Sequence, residues 1–279
     1  MESIRQIYKI GNGPSSSHTM GPKKAATIFA QRNGAYAKRY VTTLYGALAA
    51  TGKGHLTDQA ILSVLTPVAP TEIVWKPEIV LPFHTNGMKF EAFDADGKRI
   101  DTWTVYSIGG GDIVEEGAQR TSGPSIYPLT KIKDIQAQCQ KEGTSYWEYV
   151  DRYEDKDIWD YLAEVWNVMK EAVQRGIEAE GVLPGGLGVR RKAVSYYVHA
   201  EGYNQSLKSR GLVYAYALAV SEENASGGVI VTAPTCGSCG VMPAVLYHLA
   251  KSREFSDTRI LRALATAGLV GNIVKTNAS

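Results

Sequence analysis

The sequence predicts an α+β protein, with an N-terminal α/β domain over residues 1–128 and an all-helical domain over residues 129–279. Three observations predict it. Short helical and strand-forming runs alternate up to about Pro128, and two of the strand runs flank Asp96-Gly97. Beyond that point apolar residues recur at three- and four-residue spacing. The chain has 279 residues, 44% hydrophobic and 21% charged, which is ordinary globular composition with length enough for two cores.

In chain order, Gly21-Pro22 opens a short helix through Ala25, Ala26, Ile28 and Phe29 to Gln31, with Asn33-Gly34 as its C-terminal cap. Tyr40-Val41-Thr42-Thr43-Leu44-Tyr45 is rich in strand formers. Thr57 is placed to N-cap a helix from Asp58 to Leu65, which Pro67 ends. Met88 to Ala95 and Lys98 to Ile108 read as two strands joined by a type I′ turn at Asp96-Gly97, and Gly109-Gly110-Gly111 comes next. In the second domain Ser145 and Glu148 fit a capping box. Ile158, Leu162, Val165, Trp166, Met169, Val173 and Ile177 share one face of a helix from Asp157 to Ala179. Leu183-Pro184-Gly185-Gly186 breaks the pattern. Helical segments resume from Arg190 to Glu223, from Ser238 to Lys251 and from Asp257 onward.

Charge excludes several functions. Lys and Arg number 30 against 28 Asp and Glu, and neither half of the chain is strongly basic or acidic, which argues against a nucleic-acid footprint or a polybasic membrane surface. The longest stretch without charge, Asn224 to Ala250, contains two prolines and four glycines and is expected to be a buried strand, turn and helix rather than a membrane span. Three cysteines cannot all pair within the chain, so a reducing cytoplasm is the expected location.

Three motifs can carry chemistry. Gly13-Pro14-Ser15-Ser16-Ser17-His18-Thr19-Met20-Gly21-Pro22 sets four hydroxyls and an imidazole before a helix, where free N–H groups and the helix dipole favour an anion such as a carboxylate. Simple N-capping needs only one of those hydroxyls. Thr51-Gly52-Lys53-Gly54-His55 places a second histidine after a glycine turn, and by itself it is weak, because the full Walker spacing is absent. Thr232-Ala233-Pro234-Thr235-Cys236-Gly237-Ser238-Cys239-Gly240 lies between an apolar run and a helix. Its C-x-x-C pair suits a redox dithiol, a metal ligand or two inert buried thiols. A thioredoxin-like fold needs further strands after the motif, whereas the residues beyond Gly240 read mostly as helix.

Together and in this order these motifs resemble the bacterial iron–sulfur L-serine dehydratases. Gly13 to Thr19 resembles the family's opening signature and Gly52-Lys53-Gly54-His55 its second histidine motif. Tyr106 to Gly111, Pro184-Gly185-Gly186 with Arg190-Arg191, and Glu222 through Leu246 resemble further elements, so the similarity spans the chain. The resemblance implies deamination of L-serine to pyruvate and ammonia at a [4Fe–4S] cluster whose open iron acts as Lewis acid. It implies that His18 and His55 are active-site histidines, without saying which does what. It makes Ser15, Ser16, Ser17 and Thr19 donors around the substrate carboxylate, and Cys239 a cluster ligand. Cys236 stands where the family usually has Asn and is not counted as a ligand. The first domain is implied to be a serine dehydratase β-type domain, related to an amino-acid-binding module. The helical one is implied to be an incomplete catalytic domain, with the other two ligands expected beyond Ser279. On that reading the chain alone neither holds a cluster nor turns over serine, and the last helix, with Ile260, Leu261, Leu264, Ala267 and Leu269, has an apolar face with no later partner in the chain and is expected to expose it. L-serine is the expected partner, and the resemblance is compatible with a homodimer. Two alternatives stand beside it: a thiol–disulfide oxidoreductase using Cys236 and Cys239, and a serine-sensing amino-acid-binding protein.

Overall fold

The computed structural model describes residues 1–118 and 123–278. A 3-10 turn (Ile4–Gln6), strand β1 (Ile10–Asn12) and a π-helical turn (Ser16–Met20) lead into helix α1 (Gly21–Asn33). Then come β2 (Arg39–Tyr45), α2 (Gly46–Thr51), α3 (Thr57–Leu65), β3 (Thr71–Lys76), β4 (Gly87–Phe93), β5 (Arg99–Gly109) and β6 (Asp112–Glu115). The helical part holds α4 (Ile132–Glu142), α5 (Tyr146–Tyr153), α6 (Ile158–Glu178), α7 (Ala193–Glu201), α8 (Gln205–Ala225), β7 (Val229–Val231), a 3-10 turn (Cys236–Ser238), α9 (Val241–Arg253) and α10 (Asp257–Asn277). By contact the chain divides into two compact units, Asn12–Thr121 and Met1–Gly11 with Ser122–Ser279.

The α/β unit is built on a five-stranded sheet in the order β3-β2-β4-β5-β6. β2 and β3 run parallel, connected through α2 and α3, and the other pairs are antiparallel. Met88, Phe90 and Ala92 alternate inward along β4, as a period of two requires, and all three are fully buried. Phe29 on α1 meets them, its ring centroid 5.4 Å from Phe90 and 6.4 Å from Trp103. Tyr40, Leu44, Ile61 and Leu65 complete this core. Each such side chain taken from water contributes about 1.5–3 kcal/mol.

The Asp96-Gly97 hairpin differs from expectation. Gly97 N–H donates to the Asp94 carbonyl at 3.2 Å, Asp94 N–H donates to the Lys98 carbonyl at 3.0 Å, and only Gly97 has positive φ, 75°. This is a three-residue loop of a type I turn followed by a left-handed residue, not a two-residue I′ turn. The Asp94 carboxylate explains the choice, since it accepts from the backbone N–H groups of Asp96 and Lys98 and stabilises the three-residue loop. The I′ geometry falls one hairpin later. There Gly110 and Gly111, φ 60° and 79°, join the paired Gly109 and Asp112.

In the helical unit α6 buries Ile158, Leu162, Val165, Trp166, Met169 and Val173, the face that the spacing predicts. Ser145 and Glu148 form the expected reciprocal cap of α5. The stretch from Arg190 to Glu223 is α7 and α8, parted at residues 202–204, where the Asn204 side chain accepts from Leu207 N–H and starts α8. Gly176 allows α8 to approach α6: a Cβ there would lie 2.3 Å from the Ala219 carbonyl oxygen.

The apolar face of α10, expected to be exposed for want of a later partner, is covered instead by an earlier segment. Ile260, Leu264 and Leu269 are buried, and the start of the chain packs on this helix. A Cβ at Gly268 would lie 2.9 Å from the Tyr8 ring and one at Gly271 3.2 Å from Ile7. Tyr8 Oη donates to the Leu264 carbonyl at 2.9 Å, and Asn272 Nδ2 to the Glu2 carbonyl at 2.6 Å. Glu154 holds the same segment, accepting from Ser3 Oγ, Ile4 N–H and Tyr127 Oη. Among the described residues no helix is long and apolar enough to cross a membrane.

Candidate functional site

The hydroxyl-rich turn folds on its own side chains. Ser15 Oγ accepts from His18 N–H at 3.1 Å, and Ser15 N–H donates to Thr19 Oγ1 at 3.2 Å. Thr19 and Met20 N–H both return to the Ser15 carbonyl, which widens the turn to a π-helical one before α1 begins at Gly21-Pro22. Side-chain hydroxyls thus do locally what a ladder of regular bonds does elsewhere.

The second histidine sits in the turn between α2 and α3. Gly52 cannot be larger, because a Cβ would stand 2.4 Å from the Leu48 carbonyl oxygen and 2.7 Å from the Trp75 ring. His55 N–H reaches the carbonyls of Thr51 and Gly52, Leu56 takes a left-handed φ of 55°, and Thr57 N–H closes the turn on the Gly52 carbonyl at 2.9 Å. The sequence places Thr57 as the cap of α3. Instead Leu56 occupies the cap position and the Thr57 hydroxyl points back, donating to the His18 carbonyl at 2.5 Å.

The two turns bring His18 and His55 together, with ring centroids 4.7 Å apart and planes inclined by 37°. The Thr19 hydroxyl donates to the His55 carbonyl at 2.7 Å. His55 Nδ1 lies 3.0 Å from the Thr51 carbonyl oxygen; a carbonyl only accepts, so Nδ1 carries the proton and the neutral ring keeps its lone pair on Nε2. His18 Nδ1 pairs with Ser17 Oγ at 2.9 Å, while its buried Nε2 makes no hydrogen bond of normal geometry. Burial lowers the His18 pKa below the usual imidazole value; the neighbouring His55 lowers it further and the Ala47 backbone opposes weakly. His18 is therefore neutral at pH 7.

Of the four expected carboxylate donors, Ser15 and Thr19 shape the turn and Ser17 is engaged with His18, while Ser16 is buried at the start of the π-helical turn. Two further groups were not among the expected site residues: Ser107, although it lies within the Tyr106 to Gly111 motif, and Asn86, which had no local signal. Ser107 Oγ lies 2.3 Å from where a Cβ of Gly21 would be, and like the Oδ1 of Asn86 it is buried without a partner. Asn86 Nδ2 donates to the Ser107 carbonyl at 3.2 Å, so these orphaned polar groups adjoin one another behind the turn.

Cys239 belongs to the helical unit, at the turn between β7 and α9. Its N–H bonds the Cys236 carbonyl at 3.1 Å, and Ser238 Oγ donates to the Ala233 carbonyl at 2.9 Å. Both thiols are buried, 2% and 1% exposed, and burial pushes Cys236 up to about 11 and Cys239 up to about 12. Both are protonated at neutral pH, the reverse of a reactive C-x-x-C, so the oxidoreductase alternative finds no support. Among the described residues no three His, Cys, Asp or Glu side chains gather as a metal site. A [4Fe–4S] cluster takes a full thiolate set, and this pair alone does not fit it. Arg191, in the motif before α7, is structural: it pairs with buried Glu223 at 3.2 Å, while Glu222 accepts from Lys192 N–H at 2.6 Å and closes the start of α7.

The family model described as serine dehydratase alpha chain matches residues 38–279. The chain is similar to an L-serine dehydratase of Streptomyces coelicolor, 36% identical, covering 99% of this chain and 72% of that protein. It is 36% identical to L-serine dehydratase 2 of Escherichia coli over 100% of the chain and 73% of the relative. An L-serine dehydratase of Helicobacter pylori is 32% identical over 99% and 72%. With the paired imidazoles and the α+β architecture, these matches define the class, a lyase. The chain belongs to the serine dehydratase family.

Proposed function

We propose that the chain is an L-serine ammonia-lyase, which removes the Cα proton and the β-hydroxyl of L-serine and yields an enamine that hydrolyses to pyruvate and ammonia. The apposition of His18 and His55 at 4.7 Å carries this reading. An elimination of this kind needs a neutral base beside a group that holds the carboxylate, and two imidazoles that close cannot both be charged without mutual cost. His55 Nε2 is the proton acceptor, because the Thr51 carbonyl takes the Nδ1 proton and aims the ring. His18, its pKa lowered by burial and by the neighbouring His55, stands beside it as a neutral ring. Ser15, Ser16 and Ser17, at the turn that opens α1, hold the substrate carboxylate, with the N-terminal dipole of the helix favouring its charge. Thr19 shares the turn, its own hydroxyl proton committed to the His55 carbonyl.

Cys239 is proposed as one thiolate of a [4Fe–4S] cluster, whose remaining ligands the described residues do not supply. Three reduced cysteines agree with a reducing compartment such as the cytoplasm.

The test is pyruvate release from L-serine by a longer version of the chain that supplies the remaining thiolates, after anaerobic reconstitution with iron and sulfide. His55→Ala is expected to lower it by about 10²-fold or more, the usual worth of a positioned base. Near-normal release from that variant overturns the assignment. L-serine, and not D-serine, is also expected to shift the His18 and His55 ring signals by NMR.

A further inference from the structure

The two histidine turns are fastened to each other by a reciprocal pair of hydrogen bonds. Thr19, the residue after His18, donates its hydroxyl to the carbonyl of His55 at 2.7 Å. Thr57, two residues after His55, donates its hydroxyl to the carbonyl of His18 at 2.5 Å. Both threonines are buried, 2% and 0% exposed. The acceptors are the histidines' own peptide carbonyls, so each bond fixes the backbone from which the opposite ring projects.

Packing of α3 against α1 brings the two turns near each other, but no ladder of regular bonds joins the turns themselves. The residues between Gly52 and Leu56 lie in neither helix nor strand, and the π-helical turn at Ser16–Met20 makes no sheet pairing. The latch has its own support from both sides. Thr19 Oγ1 accepts from Ser15 N–H, which orients its proton toward His55. Gly52 lies against Thr57, since a Cβ there would stand 3.2 Å from Oγ1, and Thr57 N–H is held by the Gly52 carbonyl.

We infer that Thr57 and Thr19 are positioning residues, a two-bond latch that sets the spacing of the His18 and His55 rings. The inference rests on the lyase reading for its functional meaning, since the ring pair is the proposed proton acceptor. Neither hydroxyl is assigned contact with reacting atoms. What the latch supplies is geometry, and a displacement near 1 Å at a reacting centre costs about 10²-fold in rate.

The hydroxyl and not the methyl is the working part, so Thr57→Val, of nearly the same shape, breaks the bond and Thr57→Ser keeps it. The experiment is histidine ring NMR of the whole 279-residue chain. Two imidazoles held 4.7 Å apart are expected to give inter-ring nuclear Overhauser contacts in the wild type. In Thr57→Val, and independently in Thr19→Val, these contacts are expected to weaken and the ring shifts to move, while Thr57→Ser restores both. Ring contacts and shifts of a folded Thr57→Val that match wild type overturn the latch. So does failure of both valine variants to fold, because the hydroxyls then serve stability alone. The readout needs neither cluster nor turnover, so failure of the lyase reading, tested separately by pyruvate release, leaves the latch standing.

Discussion

His55 Nδ1 stands 3.0 Å from the carbonyl oxygen of Thr51, four residues earlier in the chain, and this bond decides which nitrogen of the ring is basic. A backbone carbonyl cannot donate, so the tautomer is fixed by valence. Nitrogen-15 NMR of the neutral chain is expected to show a protonated Nδ1 and an unprotonated Nε2 at His55. The opposite pattern would remove His55 as the proposed proton acceptor.

His18 links acidity to folding. Burial holds its folded pKa below the ordinary 6.5, so the unfolded chain binds the proton more readily. Full stability is therefore present above about pH 6.5, and it is lost as pH falls through the depressed folded value. His18→Gln, which has no proton to gain, is expected to flatten the fall in chemical-denaturation midpoint of the α/β unit on acidification from pH 7. An unchanged slope means that another group carries the dependence.

Gly52 is the tightest position of the second turn. Gly52→Ala puts a methyl 2.4 Å from the Leu48 carbonyl oxygen and 2.7 Å from Trp75, so backbone must move. The loss expected is about 1–3 kcal/mol, as for other overpacked sites, together with altered His55 ring shifts. A stable variant with wild-type shifts would show that the turn relaxes freely.

Covering of α10 by the start of the chain is equally open to test. Deleting residues 1–8 removes Ile4, Ile7 and Tyr8 from Gly268 and Gly271. Increased binding of an apolar dye and a lower melting temperature are expected, since Leu264 and Leu269 lose part of their cover. A deletion with unchanged melting would mean that α5 and α6 suffice to hold α10.

The three thiols offer a simpler check. All are 5% exposed or less. Ellman's reagent is expected to react with none of them in the native chain within minutes and with three in guanidinium. Rapid reaction of Cys236 or Cys239 would show that the turn before α9 opens.

Much of the architecture was legible in the residues themselves. The inward alternation of Met88, Phe90 and Ala92, the α6 face from Ile158 to Val173 and the Ser145–Glu148 cap are local patterns, each written within a few residues by the periods of strand and helix. The two histidine motifs and the C-x-x-C turn were legible only as an ordered set that resembles one family, since each taken alone also has an ordinary structural reading.

Local rules misplaced Thr57 and the Asp96-Gly97 turn. A threonine before a helix ordinarily caps it, but here the His18 carbonyl, 39 residues away in sequence, takes the hydroxyl. The turn type was settled by the Asp94 side chain outside the dipeptide. By itself, then, the sequence determined many of the elements, though not β1, α2, β3, β6 or α4, together with the apolar faces and the two imidazole-bearing turns. Only the tertiary structure decided that those turns latch onto each other, that His55 carries its proton on Nδ1, and that the first residues of the chain cover α10. The latch and the cover of α10 are hydrogen bonds and close packings between segments far apart along the chain, whose partners are named by the way the backbone folds back, whereas the His55 tautomer depends on the shape of its own turn, which brings the Thr51 carbonyl to the ring.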